Sequence, residues 1–417
     1  MIKRKLNLKA TRNIIFAVAL LLLTFGSGYW LGQRKVQVEL RSYKPVIKIE
    51  RTVPDRHQNV DFALFWDVWD KLENSYVDKG VIEPSKMVYG AISGMVASLG
   101  DPYTVFLPPE AQQQSREDLS GSFGGVGIQL GYKNSQLAVV APLSGTPAEK
   151  EGVKPGDFII HIKDERKGID KDTVGISLPE AVTDIRGPSG TKVILTLVRE
   201  GVEKPFEVAL ARSEIVVKSV EVSFVDNVAH LKLLRFGERT YQEWDEAVAQ
   251  ILKFKSQRQD FAGIVLDLRN NPGGFLQGAI YMASEFVPSG VIVKQEESRN
   301  GGTESFSVDR KGKLLSDPLV ILVNKGSASA SEILAGALLE KGRGQVVGEK
   351  TFGKGTIQEA EELTGGSGLH ITVAKWLLPS GKAIDKEGIT PSVEVVMDPS
   401  DDTRDLQLDK AIEILKE

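Results

Sequence analysis

The segment Gly326-Ser327-Ala328-Ser329-Ala330-Ser331-Glu332 follows the unbroken apolar run Leu319 to Val323 and opens a stretch of helical character. A strand, a turn of small residues and then a helix present a serine at the positive end of a helix dipole. Backbone N–H groups there can stabilise an oxyanion. The same Ser329 with Glu332 three residues on also spells a capping box, which helices carry without any chemical role. A second segment, Gly353-Lys354-Gly355, sets a lysine between two glycines whose bare backbone lets another element approach closely. A lysine amine desolvated in such a place has a depressed pKa and can act as a base, whereas a solvated turn lysine cannot. The phosphate-loop pattern is not met, because Gly355 rather than serine or threonine follows Lys354. A third segment runs from the apolar Gly263 to Leu268 into Arg269-Asn270-Asn271-Pro272-Gly273-Gly274, a turn whose glycines leave N–H groups bare for half of an oxyanion hole, or serve a structural turn alone.

Exclusion narrows the base. The 417-residue chain has no cysteine, so thiolate nucleophiles, disulfides and cysteine zinc sites are absent. Of its four histidines, His57 lies in a linker, His161 in a β-rich middle unit, and His230 and His370 in strand-like runs without motif context. A histidine triad needs an imidazole beside the serine. Lysine is then the remaining plausible base. The net charge of −4 comes with no basic stripe, which argues against nucleic acid as a partner.

Around these segments the pattern predicts two or three globular units, since one core rarely exceeds about 200 residues. Helical spacing of Phe62, Phe65, Trp66, Trp69 and Leu72, then of Val88, Ile92, Met95, Val96 and Leu99, predicts two amphipathic helices, and Leu107-Pro108-Pro109-Glu110 opens a third. From Ser122 the texture turns to short β-branched runs: strands at 127–130, 137–140, 158–162, 192–198 and 206–210, with short helices at 147–152 and 178–185. After Arg212 strands and helices alternate: strands at 228–234, 263–268 and 319–323, helices at 241–254, 277–286 and 331–341. That alternation predicts an α/β layered core.

At the N-terminus Lys3, Arg4, Lys5, Lys9 and Arg12 precede an apolar run from Ile14 to about Leu31. A basic flank before about 20 apolar residues predicts a single transmembrane helix with the remaining chain outside the cytoplasm. A cleaved signal peptide is the competing reading. Tyr29 and Trp30 as interfacial anchors, and the lack of a clear A-x-A site, favour a retained anchor in the cytoplasmic membrane.

The ordered motifs Leu99-Gly100-Asp101-Pro102-Tyr103-Thr104, Gly125-Val126-Gly127-Ile128, Asp267 to Gly274, Ser327 to Glu332, Gly348 to Gly355 and Pro379-Ser380-Gly381-Lys382 resemble the carboxyl-terminal processing peptidases, or tail-specific proteases, over about residues 61–397. The resemblance implies a serine endopeptidase that needs no cofactor and no metal. It implies Ser329 as nucleophile, Lys354 as general base and Gln358 as the residue orienting the amine. The oxyanion hole would come from the N–H of Ala330 and of Gly273 or Gly274.

The resemblance also implies an α/β protease core at 213–397 with an inserted PDZ domain at 119–212. An N-terminal helical region would occupy 61–118 and a C-terminal helix 398–417. Residues 1–32 are then the basic flank and anchor, and 33–60 a linker. In the PDZ domain Gly125, Val126, Gly127 and Ile128 would receive a substrate's C-terminal carboxylate and add its tail as a strand. The charged stretch from Lys163 to Ser177 is longer than the usual turn there. Arg186 is a candidate contact between PDZ and core. Partners are thus protein or peptide substrates and, through the N-terminal helix, the membrane; the helices of 61–118 could form a lid or a homo-oligomer contact. The PDZ domain either gates the dyad, which then works only when a tail occupies it, or merely tethers the substrate. Two other classes fit parts of the pattern: a catalytically dead PDZ adaptor, and a lyase or hydratase that has the oxyanion hole but no nucleophile.

Overall fold

A computed structural model describes residues 61–297, 302–397 and 404–417. The expected anchor at 1–32 and linker at 33–60 lie outside the described residues; among the described ones no helix is long and apolar enough to cross a membrane. The chain divides after Lys79. In the first unit, helix Ala63–Ser75 gathers Phe65, Trp66 and Trp69 with ring centroids 4.9 to 6.0 Å apart. The Trp69 indole donates to Glu73 one turn on.

In the second unit Pro84 and Pro109 sit in the first turns of helices Pro84–Ala97 and Pro109–Ser120, where a missing N–H costs no hydrogen bond. The core sheet has six strands in the order Val220–Val225, Val228–Leu233, Gly263–Asp267, Leu319–Val323, Gln345–Gly348, Val393–Glu394. Its first pair is antiparallel and every later pair parallel. Leu319–Val323 is five apolar residues, all buried, as a strand covered on both faces requires. One face packs against Trp244, Phe286 and Leu334 from helices Thr240–Ser256, Leu276–Phe286 and Ala330–Glu340. On the other face Val265, Val320 and Val347 meet Ala411 of the C-terminal helix Leu406–Lys416.

Strands Ser122–Gly125 and Ser213–Val216 pair with each other, so the chain leaves the core and returns to it at one place. Between them lies a β-rich unit with a hydrophobic cluster of its own, including Leu137, Ile159 and Leu195. Its sheet runs Ile128–Lys133, Gln136–Pro142, Phe158–Asp164, Lys192–Val198, Phe206–Ala211. Part of the charged stretch after Lys163 is itself a strand, Ile169–Asp172, that hairpins onto Phe158–Asp164.

A third sheet, missing from the expected element list, packs strand Gly368–Leu377 between Val105–Leu107, Val291–Glu297 and Thr356–Glu362. Thr356-Ile-Gln-Glu-Ala-Glu-Glu362 carries polar residues at most positions and shows no apolar run to mark it, whereas Gly368–Leu377 alternates apolar and polar residues from Leu369 to Val373, the strand-like run around His370. Thr356–Glu362 forms because the ten-residue strand Gly368–Leu377 pairs with it along its whole length.

Candidate active site

Three loops leave the carboxyl ends of the parallel strands Gly263–Asp267, Leu319–Val323 and Gln345–Gly348, where open α/β sheets bind ligands. The first brings Gly273 and Gly274, the second Ser329, the third Lys354. The two serines that flank Ser329 in its turn are tied to the backbone of the first loop. Ser327 Oγ is buried and donates to the Leu268 carbonyl at 2.8 Å, and Ser331 Oγ donates to the Asn271 carbonyl at 2.9 Å. They fasten the serine turn to the first loop. Ser329 is half-buried at the N-terminal cap of helix Ala330–Glu340, with φ of +55° and ψ of −116°. That left-handed backbone is costly for a non-glycine residue and marks a position held by its surroundings.

Those surroundings centre on Glu332, which is fully buried. Its Oε2 accepts the Ser329 N–H at 2.8 Å and the Lys354 N–H at 2.9 Å. Its Oε1 accepts the Gly353 N–H at 2.7 Å and the Thr351 hydroxyl. Burial raises the Glu332 pKa, and these four donors oppose the rise. A capping glutamate has thereby become the clamp that joins the serine turn to the lysine loop, a role that the sequence spacing of Ser329 and Glu332 only half discloses.

Ser329, Ala330, Lys354, Gln358 and Gly274 line one cleft of about 230 Å³, walled by Leu276, Ile333, Ile357 and Trp376. The Trp376 indole donates to the Lys354 carbonyl at 2.9 Å and so fixes the lysine backbone. Burial lowers the Lys354 pKa, with Asp101 and Glu332 acting in the opposite direction. Among the described residues Lys354 Nζ makes no hydrogen bond to Ser329 Oγ or to Gln358; it lies 5.0 Å from the centre of the Tyr103 ring. The Gln358 amide instead donates to Thr356 Oγ1 at 2.8 Å and Thr372 Oγ1 at 3.2 Å.

The two glycines are not equivalent. Gly273 donates its N–H to Asn271 Oδ1 at 2.9 Å, while the Gly274 and Ala330 N–H groups have no acceptor among the described residues. A Cβ on Gly273 would stand 2.9 Å from Ser329 Cβ and 3.0 Å from the Ala330 nitrogen, so this turn touches the serine directly.

Of the histidines described, His161 meets Asp170 and His230 meets Asp267. His370 lies close enough to Lys354 that the lysine charge, after burial, helps lower its pKa. No group of described residues is arranged to hold a metal ion.

In the β-rich unit Val126 is buried, and Gly127 has φ of +75° with its carbonyl taken by the Leu143 N–H at 2.8 Å. Ile128 begins the edge strand of that sheet. Arg186 stacks on Phe123 of the paired strands leading into this unit, 3.7 Å from the ring centre. Asp101, Tyr103 and Thr372 carry no role in the sequence expectations, and Glu332 only that of a helix cap. The motif around Asp101 was the one signal in the sequence for two of them.

Residues 227–395 match the model of Peptidase family S41, and residues 22–111 that of the Activating protease CtpB N-terminal domain. The chain is 38% identical over 327 residues to the carboxy-terminal processing protease CtpA of Bacillus subtilis (strain 168), covering 78% of this chain and 67% of the relative. It is 41% identical over 339 residues to the carboxyl-terminal-processing protease of Synechocystis sp., covering 79% and 76%. A putative S41 protease from Bacteroides fragilis shares the fold with a TM-score of 0.53 at 16% identity, over 88% of this chain and 99% of that one. The α/β core with a serine at a helix N-terminus is thus that of a serine peptidase. The chain belongs to the carboxy-terminal processing proteases of peptidase family S41.

Proposed function

We propose that the chain is an endopeptidase in which Ser329 is the nucleophile and Lys354 the general base, acting on proteins whose C-terminal tails bind the β-rich unit as a PDZ domain. One observation carries the reading: Ser329 and Lys354 share one cleft while a single buried carboxylate, Glu332, accepts the backbone N–H of each. Neutral Lys354 takes the Ser329 proton as Oγ bonds to the scissile carbonyl carbon, and the ammonium returns a proton to the leaving amine. Water then cleaves the acyl-enzyme. The unengaged N–H groups of Gly274 and Ala330 are the donors for the carbonyl oxygen, which favours Gly274 over Gly273. Gln358, in the same cleft, would orient the amine once substrate draws Lys354 toward Ser329.

For tail recognition, the support is the edge strand opened by Ile128, preceded by Gly125-Val126-Gly127, which can accept a peptide as a further strand. The basic flank and apolar run before residue 33 are read as a single-pass anchor that holds the peptidase outside the cytoplasm.

Cleavage of a quenched peptide by wild type, Ser329→Ala and Lys354→Ala tests the dyad, together with covalent labelling by a phosphonylating reagent. Loss of both cleavage and labelling in Ser329→Ala is expected. Equal cleavage by all three proteins would sink the reading. Amidating the peptide's C-terminus should raise KM sharply, and an unchanged KM would remove the tail-recognition part.

A further inference from the structure

Tyr103 stands far from Lys354 in the chain and lies outside every motif to which the reaction assigns a role. We propose that Tyr103 is a positioning residue for the general base, its ring face holding the Lys354 amine and stabilising the ammonium that forms when the lysine takes the Ser329 proton. The inference rests on Lys354 acting as the base.

The geometry is specific. Lys354 Nζ sits 5.0 Å from the Tyr103 ring centre, within the roughly 6 Å over which a ring quadrupole attracts a cation. The ring is half-buried, and a desolvated cation–π contact is stronger than an exposed one. The turn bearing Tyr103 is itself fixed. Asp101 accepts the Tyr103 N–H at 3.0 Å and the Thr104 hydroxyl at 2.6 Å, and Thr104 Oγ1 accepts the Thr372 N–H at 3.0 Å. Thr372 Oγ1 in turn accepts the Gln358 amide. The ring is therefore tied to the strand beside the cleft.

The other charged and titratable groups near the amine are Asp101 on the same turn, Glu332 on the serine helix and His370 on the neighbouring strand; Asp385 lies near the Tyr103 hydroxyl. Burial, then Asp385, Glu332 and Asp101, raises the Tyr103 pKa. The phenol stays neutral over the working pH range, so the attraction comes from the ring face and not from a phenolate.

The test measures kcat and KM against pH on one quenched peptide for the full chain and its Tyr103→Phe, Tyr103→Trp, Tyr103→Leu and Ser329→Ala variants. Loss of the ring lowers the pKa of the base, so in Tyr103→Leu the acid limb of the profile moves to lower pH by about half a unit, and plateau kcat falls about five- to ten-fold with KM held within about two-fold. Tyr103→Phe and Tyr103→Trp keep the face and should keep both the limb and the rate. An unmoved limb in Tyr103→Leu, a Phe variant as impaired as the Leu variant, or a loss carried by KM would each overturn the proposal. If Tyr103→Leu unfolds, the Trp variant decides: a rate lowered with a downward-shifted limb overturns it and a retained limb supports it. Activity in Ser329→Ala equal to wild type would refute the nucleophile assignment separately, whichever way the limb moves.

Discussion

The side chain of Glu332 accepts the backbone N–H of Lys354 at 2.9 Å, and the same oxygen accepts that of Ser329 at 2.8 Å. Two loops from different parallel strands are thereby held to one point. The carboxylate lies where a helix dipole is positive, which favours its negative charge despite burial.

Glu332→Gln tests this clamp. The amide offers one acceptor oxygen and an NH2 group to a site built only of donors, so at least one backbone N–H faces another donor. Stability should fall by about 2–3 kcal/mol and kcat/KM by about 100-fold or more. Urea denaturation and peptide kinetics would show it, and wild-type values for both would exclude a clamping role.

Lys354 couples activity to pH. Burial lowers its folded-state pKa below the ordinary value of 10.5. Between the lowered value and 10.5 the unfolded chain binds the extra proton, so this residue's contribution to stability becomes more favourable as pH rises toward 10.5. With Lys354 as the proposed general base, activity should rise with pH through the lowered value and level off below the ordinary lysine range. Lys354→Met removes the cost of a buried ammonium. It should abolish cleavage while raising stability at pH 7 by roughly 0.5–1 kcal/mol, measured by thermal unfolding. A destabilised Met variant would argue that the amine is not under desolvation strain.

Gly273→Ala should be damaging even though the Gly273 N–H is not the free donor. With φ of +98°, a new Cβ would lie 2.8 Å from the Ala328 carbonyl oxygen and 2.9 Å from Ser329 Cβ. The strain, about 1–3 kcal/mol, falls on the backbone of Ser329, the proposed nucleophile. Activity should drop about 100-fold, with kcat affected before KM. An active Gly273→Ala enzyme would mean that the first loop yields without moving Ser329.

Arg269 ties the core to the C-terminal helix. Its guanidinium bonds Asp267 at 2.7 Å and Asp405 at 2.7 Å, and His230 meets the same Asp267 at 3.0 Å. Burial would raise the Asp267 pKa, but hydrogen bonds from His230 and Arg269 hold it far below the usual carboxylate range. Its stabilising contribution is therefore complete above about pH 4 and is lost only as pH falls toward the lowered value. Arg269→Met strands a buried carboxylate and should cost about 3–5 kcal/mol at pH 7. The variant's stability should also depend less on pH between about 4 and 2. Parallel acid-unfolding curves for the two proteins would contradict this account.

The sequence by itself determined the layered core and the chemistry it could carry. A short apolar run rich in β-branched residues, such as Leu319–Val323, reads as a strand buried on both faces, and small residues after such a strand leave a serine at a helix start. Exclusion of cysteine and of imidazoles with motif context pointed to a lysine. What the local pattern could not contain is partnership across the chain. The strand Thr356–Glu362 is polar enough to pass for loop, and exists because Gly368–Leu377 completes its backbone hydrogen bonds. Which glycine keeps a free N–H depends on Asn271 turning its side chain onto Gly273. That Tyr103 faces Lys354, and that Glu332 serves two loops rather than one helix cap, follows from how the sheets pack. Spacing along a chain records local geometry with a period of two or 3.6 residues, whereas a buried donor finds its acceptor wherever the fold brings one within about 3 Å.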